Sequence, residues 1–363
     1  MREQIRIWTE TVETVVLEII SGQRRGKRAA IARWCLFLLS KVYALAVRVR
    51  RILYNFRILR DSTLGVQVIA IGNLTVGGTG KTPIASWLAG QLRARGFVTA
   101  IVLRGYGGRH HGGPLRVTRD TDPAIAGDEA VLHAHRGAEL VFVDSDRTAA
   151  ARAAVAAGAQ IVVSDDGLQH LRLARQYEIV VVDATRGLGN GHLLPAGPLR
   201  EPRGRLAAVD AIVVTDRGGS GDNPAACLGS RAIRARLTPG RAVNMVDGSR
   251  RELADFRGER VQAVAGVGHP DAYFAGLRAA GLDVDAHALP DHAAIDEASL
   301  AWARNATVLM TEKDAVKCLR FARPGWWYVD LDVAFEPPSA AEELVAKVLA
   351  ASRRSPASGG RLG

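Results

Sequence analysis

Cysteine is nearly absent from the chain: Cys35, Cys227 and Cys318 are the three in 363 residues, and they are widely spaced. That spacing offers neither a disulfide framework nor a zinc site, and it fits a reducing, cytosolic setting. Internal repeats are also missing, and so is a small-residue cleavage site of the kind a secretory signal carries. A strongly basic folded body is missing too. Residues 1–60 hold 13 Lys/Arg against 4 Glu, which is +9 of the net +11, so the remaining residues carry about +2. Nucleic-acid binders place their basic surface on the folded domain, so nucleic acid is not an expected partner. The apolar stretch Trp34–Val47, WCLFLLSKVYALAV, falls short of the roughly 20 residues a bilayer span requires.

What is present centres on Val66–Thr82, VQVIAIGNLTVGGTGKT. It reads as an apolar strand, a glycine-rich loop and a helix opened by Gly80-Lys81-Thr82. A helix N-terminus presents unpaired N–H groups and partial positive charge, which suits phosphate. Thr75, Val76, Gly77, Gly78, Thr79, Gly80, Lys81 and Thr82 are the candidate nucleotide-binding residues, with Lys81 reaching the β/γ-phosphates and Thr82 available to Mg²⁺. Thr75 stands where the usual phosphate-loop pattern has glycine, so the match is a variant.

Downstream, strand-like and helix-like segments alternate: a helix over Pro83–Arg95, strands at Val98–Leu103, Leu140–Val143 and Gln160–Val163, and a helix over Thr148–Ala157. Arg104, in the Arg104-Gly105-Tyr106-Gly107-Gly108 loop, either meets phosphate or belongs to a surface turn. Gly127-Asp128-Glu129 opens a further helix, where an acidic first turn is ordinary capping chemistry. The Gln160–Val163 strand ends in Ser164-Asp165-Asp166, the acidic partner a phosphate loop needs, because Mg²⁺ takes hard carboxylate oxygens. Strands at Glu178–Val182 and Val209–Thr215 flank a long Gly/Pro/Asn-rich loop, Thr185–Arg203. After a linker-like stretch near Asp216–Gly229 come strands at Ala232–Leu237, Arg260–Ala265, Thr307–Met310 and Trp327–Leu331. Helices are expected at Asp271–Ala280, after Pro290-Asp291-His292, and at Ala340–Ala351.

This pattern predicts an α/β fold: a phosphate-loop NTPase-type parallel sheet core (61–225), a second, smaller α/β domain (226–351) across a cleft, a basic N-terminal segment (1–60) and a disordered tail (352–363). The N-terminal segment, apolar and flanked by arginines, reads as a helix lying in an anionic membrane surface; a buried core helix with basic ends is the alternative. No obligate protein partner is inferred.

The blocks GNLTVGGTGKTP, LRGYGG, GDE, SDDGLQH, VVVDATRGLGNGHLLPAGPLREP, Pro-Asp-His and TEKDAVK occur in an order that resembles the tetraacyldisaccharide 4′-kinases of lipid A biosynthesis, from about residue 34 to about 345. The resemblance implies ATP-dependent phosphorylation of the 4′-hydroxyl of a tetraacylated glucosamine disaccharide 1-phosphate, at the cytoplasmic face of a bacterial inner membrane. It implies an Asp–His dyad at Asp128 and His292 acting on the acceptor hydroxyl beside Lys81. It also implies a nucleotide–metal site lined by Thr82, Asp165, Asp166, Gln169, His170 and Glu201. Ala293 and Gly268-His269-Pro270 depart from the family pattern in the second domain. On residues alone Asp128 is not separable from Asp144 or Asp146; the choice rests on the resemblance. Two rival classes are a partitioning ATPase of the deviant phosphate-loop type, disfavoured because Val76 replaces its signature lysine, and a membrane-peripheral nucleotide-binding protein without turnover.

Overall fold

A computed structural model describes residues 15, 18–20, 23–218, 228, 231–268, 270–291 and 293–352. His292, His269, most of the expected linker and residues 353–363 lie outside the described residues.

The chain begins with a long helix, α1 (Lys27–Asn55), of 29 residues. It is longer than the apolar run because the flanking arginines are good helix formers and continue it. Its inner side, with Phe37, Ser40, Tyr43, Val47, Arg51 and Tyr54, is at least partly covered; Ile31, Trp34, Leu38, Val42, Leu45, Val49, Ile52 and Phe56 point outward and are exposed, Trp34 by 63%. The outward residues recur every three or four positions, a continuous apolar stripe along one side. By length and composition α1 is apolar enough to cross a membrane.

Strand β1 (Gln67–Gly72) follows, with every residue buried. That is the burial of a parallel strand covered on both faces. Helix α2 (Lys81–Ala94) returns over it, burying Ile84, Ala85, Leu88, Ala89 and Leu92 at helical spacing. Then come β2 (Thr99–Leu103), β3 (Leu115–Val117), α3 (Asp128–His135), β4 (Leu140–Val143), α4 (Arg147–Ala156), β5 (Ile161–Asp165), β6 (Tyr177–Asp183) and β7 (Ala211–Asp216). The later part holds β8 (Ala232–Asn244), β9 (Arg250–Arg251), β10 (Arg260–Ala265), α5 (Pro270–Ala279), β11 (Asp283–Ala288), β12 (Val308–Thr311), α6 (Glu312–Cys318), β13 (Trp326–Glu336) and α7 (Ser339–Ala351).

Instead of two parallel sheets, these strands form one continuous mixed sheet, ordered β11-β10-β12-β13-β8-β7-β6-β1-β5-β2-β4-β3, with β9 on β8. The seam is β7 against β8, parallel from Ile212–Ala232 to Asp216–Arg236. The antiparallel pairs are β3–β4, β8–β9 and β8–β13. The helix expected after Pro290-Asp291-His292 is only a short 3₁₀ turn, Ala301–Ala303. Successive strands lie on opposite sides of β1, with β5 and β2 one way and β6 and β7 the other. The carboxyl end of β1 is therefore a topological switch point, where open α/β sheets bind ligands.

Candidate active site

Leaving β1, the chain curls through Asn73–Gly80. Gly80 caps α2 in the left-handed region, φ 79°, and a Cβ there would lie 2.8 Å from Leu237 Cδ1. Glycine is required on both counts. Gly77, φ 93°, lies under the guanidinium of Arg186, whose Nη1 is 2.6 Å from where a Cβ would sit. The loop is braced by Asn73 Nδ2 donating to Gly77 O (3.1 Å), Val76 N–H to Pro198 O (2.8 Å) and Thr215 Oγ1 to Thr79 O (2.8 Å). Around it, Thr79 Oγ1, Asn73 Oδ1 and Arg147 Nε are buried without a hydrogen-bond partner. Orphaned buried polar atoms call for an explanation, and donors and acceptors gathered about a helix N-terminus suit a polar, anionic ligand.

At the end of β5, Asp165 and Asp166 differ. Asp165 is 2% exposed; its Oδ1 accepts from Asp166 N–H (2.9 Å) and its Oδ2 pairs with His133 Nε2 (3.0 Å), whose Nδ1 meets Ser86 Oγ (2.8 Å). Asp166 has φ 52°, and its carboxylate lies 3.0 Å from Arg200 Nη1 and 3.5 Å from Lys81 Nζ. Burial pushes the Asp166 carboxyl up, but Lys81 and Arg200 outweigh it and hold it below the usual carboxylate value. Arg147, buried at the start of α4, feels both aspartates and the exposed Arg104.

Asp128 begins α3 and is 5% exposed. Two lysines of the TEKDAVK block face it: Lys317 Nζ at 3.6 Å and Lys313 Nζ at 4.0 Å from Oδ2. They are four apart on α6 and share one side of that helix. Lys313 also holds Asp291 Oδ1 at 2.7 Å, and Lys317 holds Asp314 Oδ1 at 3.2 Å. Asp314, wholly buried, accepts from Gly266 N–H and the Thr311 hydroxyl and so fixes the start of α6. At the other end of α3, Arg136 grips both oxygens of Glu312. Burial pulls the Lys313 ammonium down, but Asp128 and Asp291 more than restore it, so its pKa is raised. Glu129, partly buried beside Asp128, has its carboxyl pushed up by burial and by the Asp165 charge.

Of the Pro-Asp-His block, Asp291 reaches this place. A Cβ on Gly268 would lie 3.7 Å from Asp291 Oδ2 and 3.8 Å from Gly78 N. Gly268 thus lies near both Gly78 of the phosphate loop and Asp291, and from Asp291 a chain of contacts runs through Lys313 to Asp128, while α3 carries His133 to Asp165, next to Asp166 and Lys81. Three loops and a helix N-terminus, from residues as distant as 78 and 291, thus border one space.

The candidates for metal binding are not one ligand shell. Among the described residues no three His, Cys, Asp or Glu side chains converge to hold an ion. Glu201 is 4% exposed, with Oε1 taken by Gln169 Nε2 (2.9 Å) and Oε2 by Arg51 Nη2 (2.6 Å). His170 Nε2 stands 3.6 Å from Asp146, too far for a hydrogen bond, and burial, followed by Arg147, lowers its pKa to about 4. Thr82, Asp165 and Asp166 stay with the phosphate loop.

The family model described as "Tetraacyldisaccharide-1-P 4'-kinase" matches residues 32–350. The chain belongs to this family. A tetraacyldisaccharide 4′-kinase of Halorhodospira halophila is 48% identical over 321 residues, 87% of this chain and 94% of that protein. One from Nitrosococcus oceani is 44% identical over 314 residues, 86% and 90% respectively. Among solved structures, LpxK from Aquifex aeolicus, described as in complex with ATP, superposes with TM-score 0.76 at 26% identity, covering 88% of this chain and 99% of that one. Sequence reasoning missed His133, Arg147, Arg186 and the lysine pair. Of these, only Lys313 and Lys317 carried a local signal, their i,i+4 spacing within a family block.

Proposed function

We propose that the protein transfers the γ-phosphoryl group of ATP to the 4′-hydroxyl of a tetraacylated glucosamine disaccharide 1-phosphate. It is a kinase with an alcohol acceptor, acting in lipid A biosynthesis. The observation that carries the reading is a phosphate loop bordering the same space as a buried carboxylate, Asp128, flanked by two lysines. Phosphoryl transfer demands mainly positioning and charge neutralisation. Lys81 and the amides of Gly77–Thr82 hold the β/γ-phosphates, with Arg186 and Arg147 as further cations at hand. Asp128, held in place by Lys313 and Lys317, accepts the proton of the attacking hydroxyl, whose own pKa lies far above 7. His292 lies outside the described residues, and its role as the partner of Asp128 rests on the family resemblance.

Thr82 with Asp166, and Asp165 behind it, suit Mg²⁺. A hydroxyl and hard carboxylates beside a phosphate site are its usual protein donors. Held by these residues, the ion would supply charge neutralisation at the phosphates. Residues 61–225 supply the phosphate loop and Asp128, and 226–351 complete the acceptor site through Asp291, Lys313 and Lys317. The exposed stripe of α1, with arginines at both ends, fits the interface of an anionic bilayer and supports a site of action at the cytoplasmic face of the inner membrane. Incubation of the full chain with ATP, Mg²⁺ and the disaccharide 1-phosphate in mixed micelles tests the function. A 4′-phosphorylated product is expected; folded protein that binds ATP without forming it would leave a non-catalytic nucleotide binder.

A further inference from the structure

The contacts of α1 do not end at its apolar stripe. On its inner side Tyr43 OH donates to the backbone carbonyl of Arg200 (3.0 Å), and Arg51 Nη2 reaches Glu201 Oε2 (2.6 Å). Arg200 and Glu201 follow directly on the segment that braces the phosphate loop. Thr75 bridges Leu199, Val76 N–H donates to Pro198 O (2.8 Å), and Arg200 N–H donates to Leu74 O (2.6 Å). The side chains repeat the link. Glu201 Oε1 accepts from Gln169 Nε2 (2.9 Å), and that nitrogen also donates to Asn73 O (3.1 Å). Arg200 Nη1 then holds both oxygens of Asp166 at 3.0 Å, and Asp166 faces Lys81.

We propose that Arg51 and Glu201 are positioning residues: they tie helix α1 to the phosphate site, so that the seating of the membrane-facing helix sets the geometry of Asp166 and Lys81. This rests on the kinase reading above and deepens it. The Glu201 carboxylate is almost fully enclosed, with Arg205 Nε a further 3.6 Å from Oε2. A buried carboxylate is retained only when its partners satisfy it. Here those partners are one residue from α1, one from the β5–β6 loop and one beyond it, so the carboxylate locks three segments together. Arg51 and Tyr43 belong to the same rigid helix as the exposed stripe. A shift of α1 relative to the body therefore moves the 198–201 segment that pairs with Leu74–Val76.

The test compares the full-length wild type with Glu201→Gln, Arg51→Met, Arg51→Lys and the Glu201→Gln/Arg51→Met double variant. Steady-state turnover is measured in mixed micelles at saturating acceptor, and a fluorescent ATP analogue is titrated in parallel. Each neutralising variant is expected to weaken the analogue and raise KM for ATP about tenfold, with KM for the lipid unchanged. Arg51→Lys recovers most of the loss. The double variant is no worse than the worse single, because both break one link. Two separate effects that multiply, or a loss confined to the lipid KM, would overturn the link. If the wild type bound the analogue yet formed no 4′-phosphate, the kinase reading would fail, while the analogue titrations would still decide the link.

Discussion

Asp128→Asn separates chemistry from binding. The substitution keeps the shape of the side chain and removes its capacity to take a proton. A positioned general base contributes about 10²- to 10⁴-fold, so kcat is expected to fall by that factor, about 3 to 5 kcal/mol of lost transition-state stabilisation. Stability should change far less. With Lys317 at 3.6 Å and Lys313 at 4.0 Å, each pair is worth about 4 to 5 kcal/mol in gross Coulomb energy at an effective dielectric near 20. Most of that is offset by desolvation, and neither lysine is abandoned: Lys313 keeps Asp291 at 2.7 Å and Lys317 keeps Asp314 at 3.2 Å. A net loss of about 1 kcal/mol follows, which for a chain this long lowers Tm by about 1 to 2 °C. Calorimetric titration with ATP, a thermal melt and the micelle assay are run on one preparation. If ATP affinity dropped in step with kcat, Asp128 would belong to the nucleotide site; if a tenth of the turnover survived, it would not be the base.

Gly80→Ala places a β-carbon at φ 79° and 2.8 Å from Leu237, costing about 1 to 2 kcal/mol in backbone strain before the clash is counted; ATP affinity should fall at least tenfold, and an unchanged titration would refute the phosphate-loop geometry. His170 has a folded pKa of about 4 against 6.5 ordinarily, so between those values the unfolded chain binds the proton and the folded one does not; stability therefore falls as pH drops through that window, and His170→Gln should flatten the slope of the urea midpoint between pH 7.5 and 4.5. Replacing Leu38, Val42, Leu45 and Val49 together by Ser should abolish co-sedimentation with vesicles containing anionic lipid; retained binding would put the anchor elsewhere.

What was legible in the chain was what is local. The phosphate loop needs glycines, Lys81 and Thr82 in one short run, and most elements up to β7 announce themselves by apolar period and turn residues. The shorter and edge strands did not. β11, Asp-Val-Asp-Ala-His-Ala, alternates weakly at the sheet margin, and β3 is three residues long. β8 was read as ending at Leu237; Pro239 follows, and proline argues against a strand interior. In the fold β8 continues to Asn244, with Pro239 opposite Leu331 where β13 shifts register, a bulge that accommodates the missing N–H. His133 was invisible for a different reason: on a helix it is one more polar residue, and only the tertiary fold delivers its Nε2 to Asp165. Glu201 carries the same lesson. Sequence context put it beside the nucleotide–metal site, and only the fold adds its partner Arg51, 150 residues earlier.

The paired aspartates make a last distinction that adjacency in sequence hides. Asp165 spends an oxygen each on the Asp166 N–H and on His133, and it is enclosed. Asp166 adopts the left-handed conformation, φ 52°, which aspartate tolerates at a small cost, and its carboxylate is about one-third exposed toward Lys81 and Arg200. Backbone strain persists where the surroundings enforce it, and here it turns one carboxylate out of the strand and over the phosphate loop. Asp166→Asn keeps the tolerated backbone and hydrogen-bonding shape but halves the charge facing Mg²⁺ from this pair. It should raise the Mg²⁺ concentration for half-maximal activity about tenfold with little change in Tm. Asp165→Asn, by breaking the Ser86–His133 brace, should lower Tm as well. The two variants trading these phenotypes, Asp165→Asn shifting only the Mg²⁺ requirement and Asp166→Asn only the melt, would reverse the assignment.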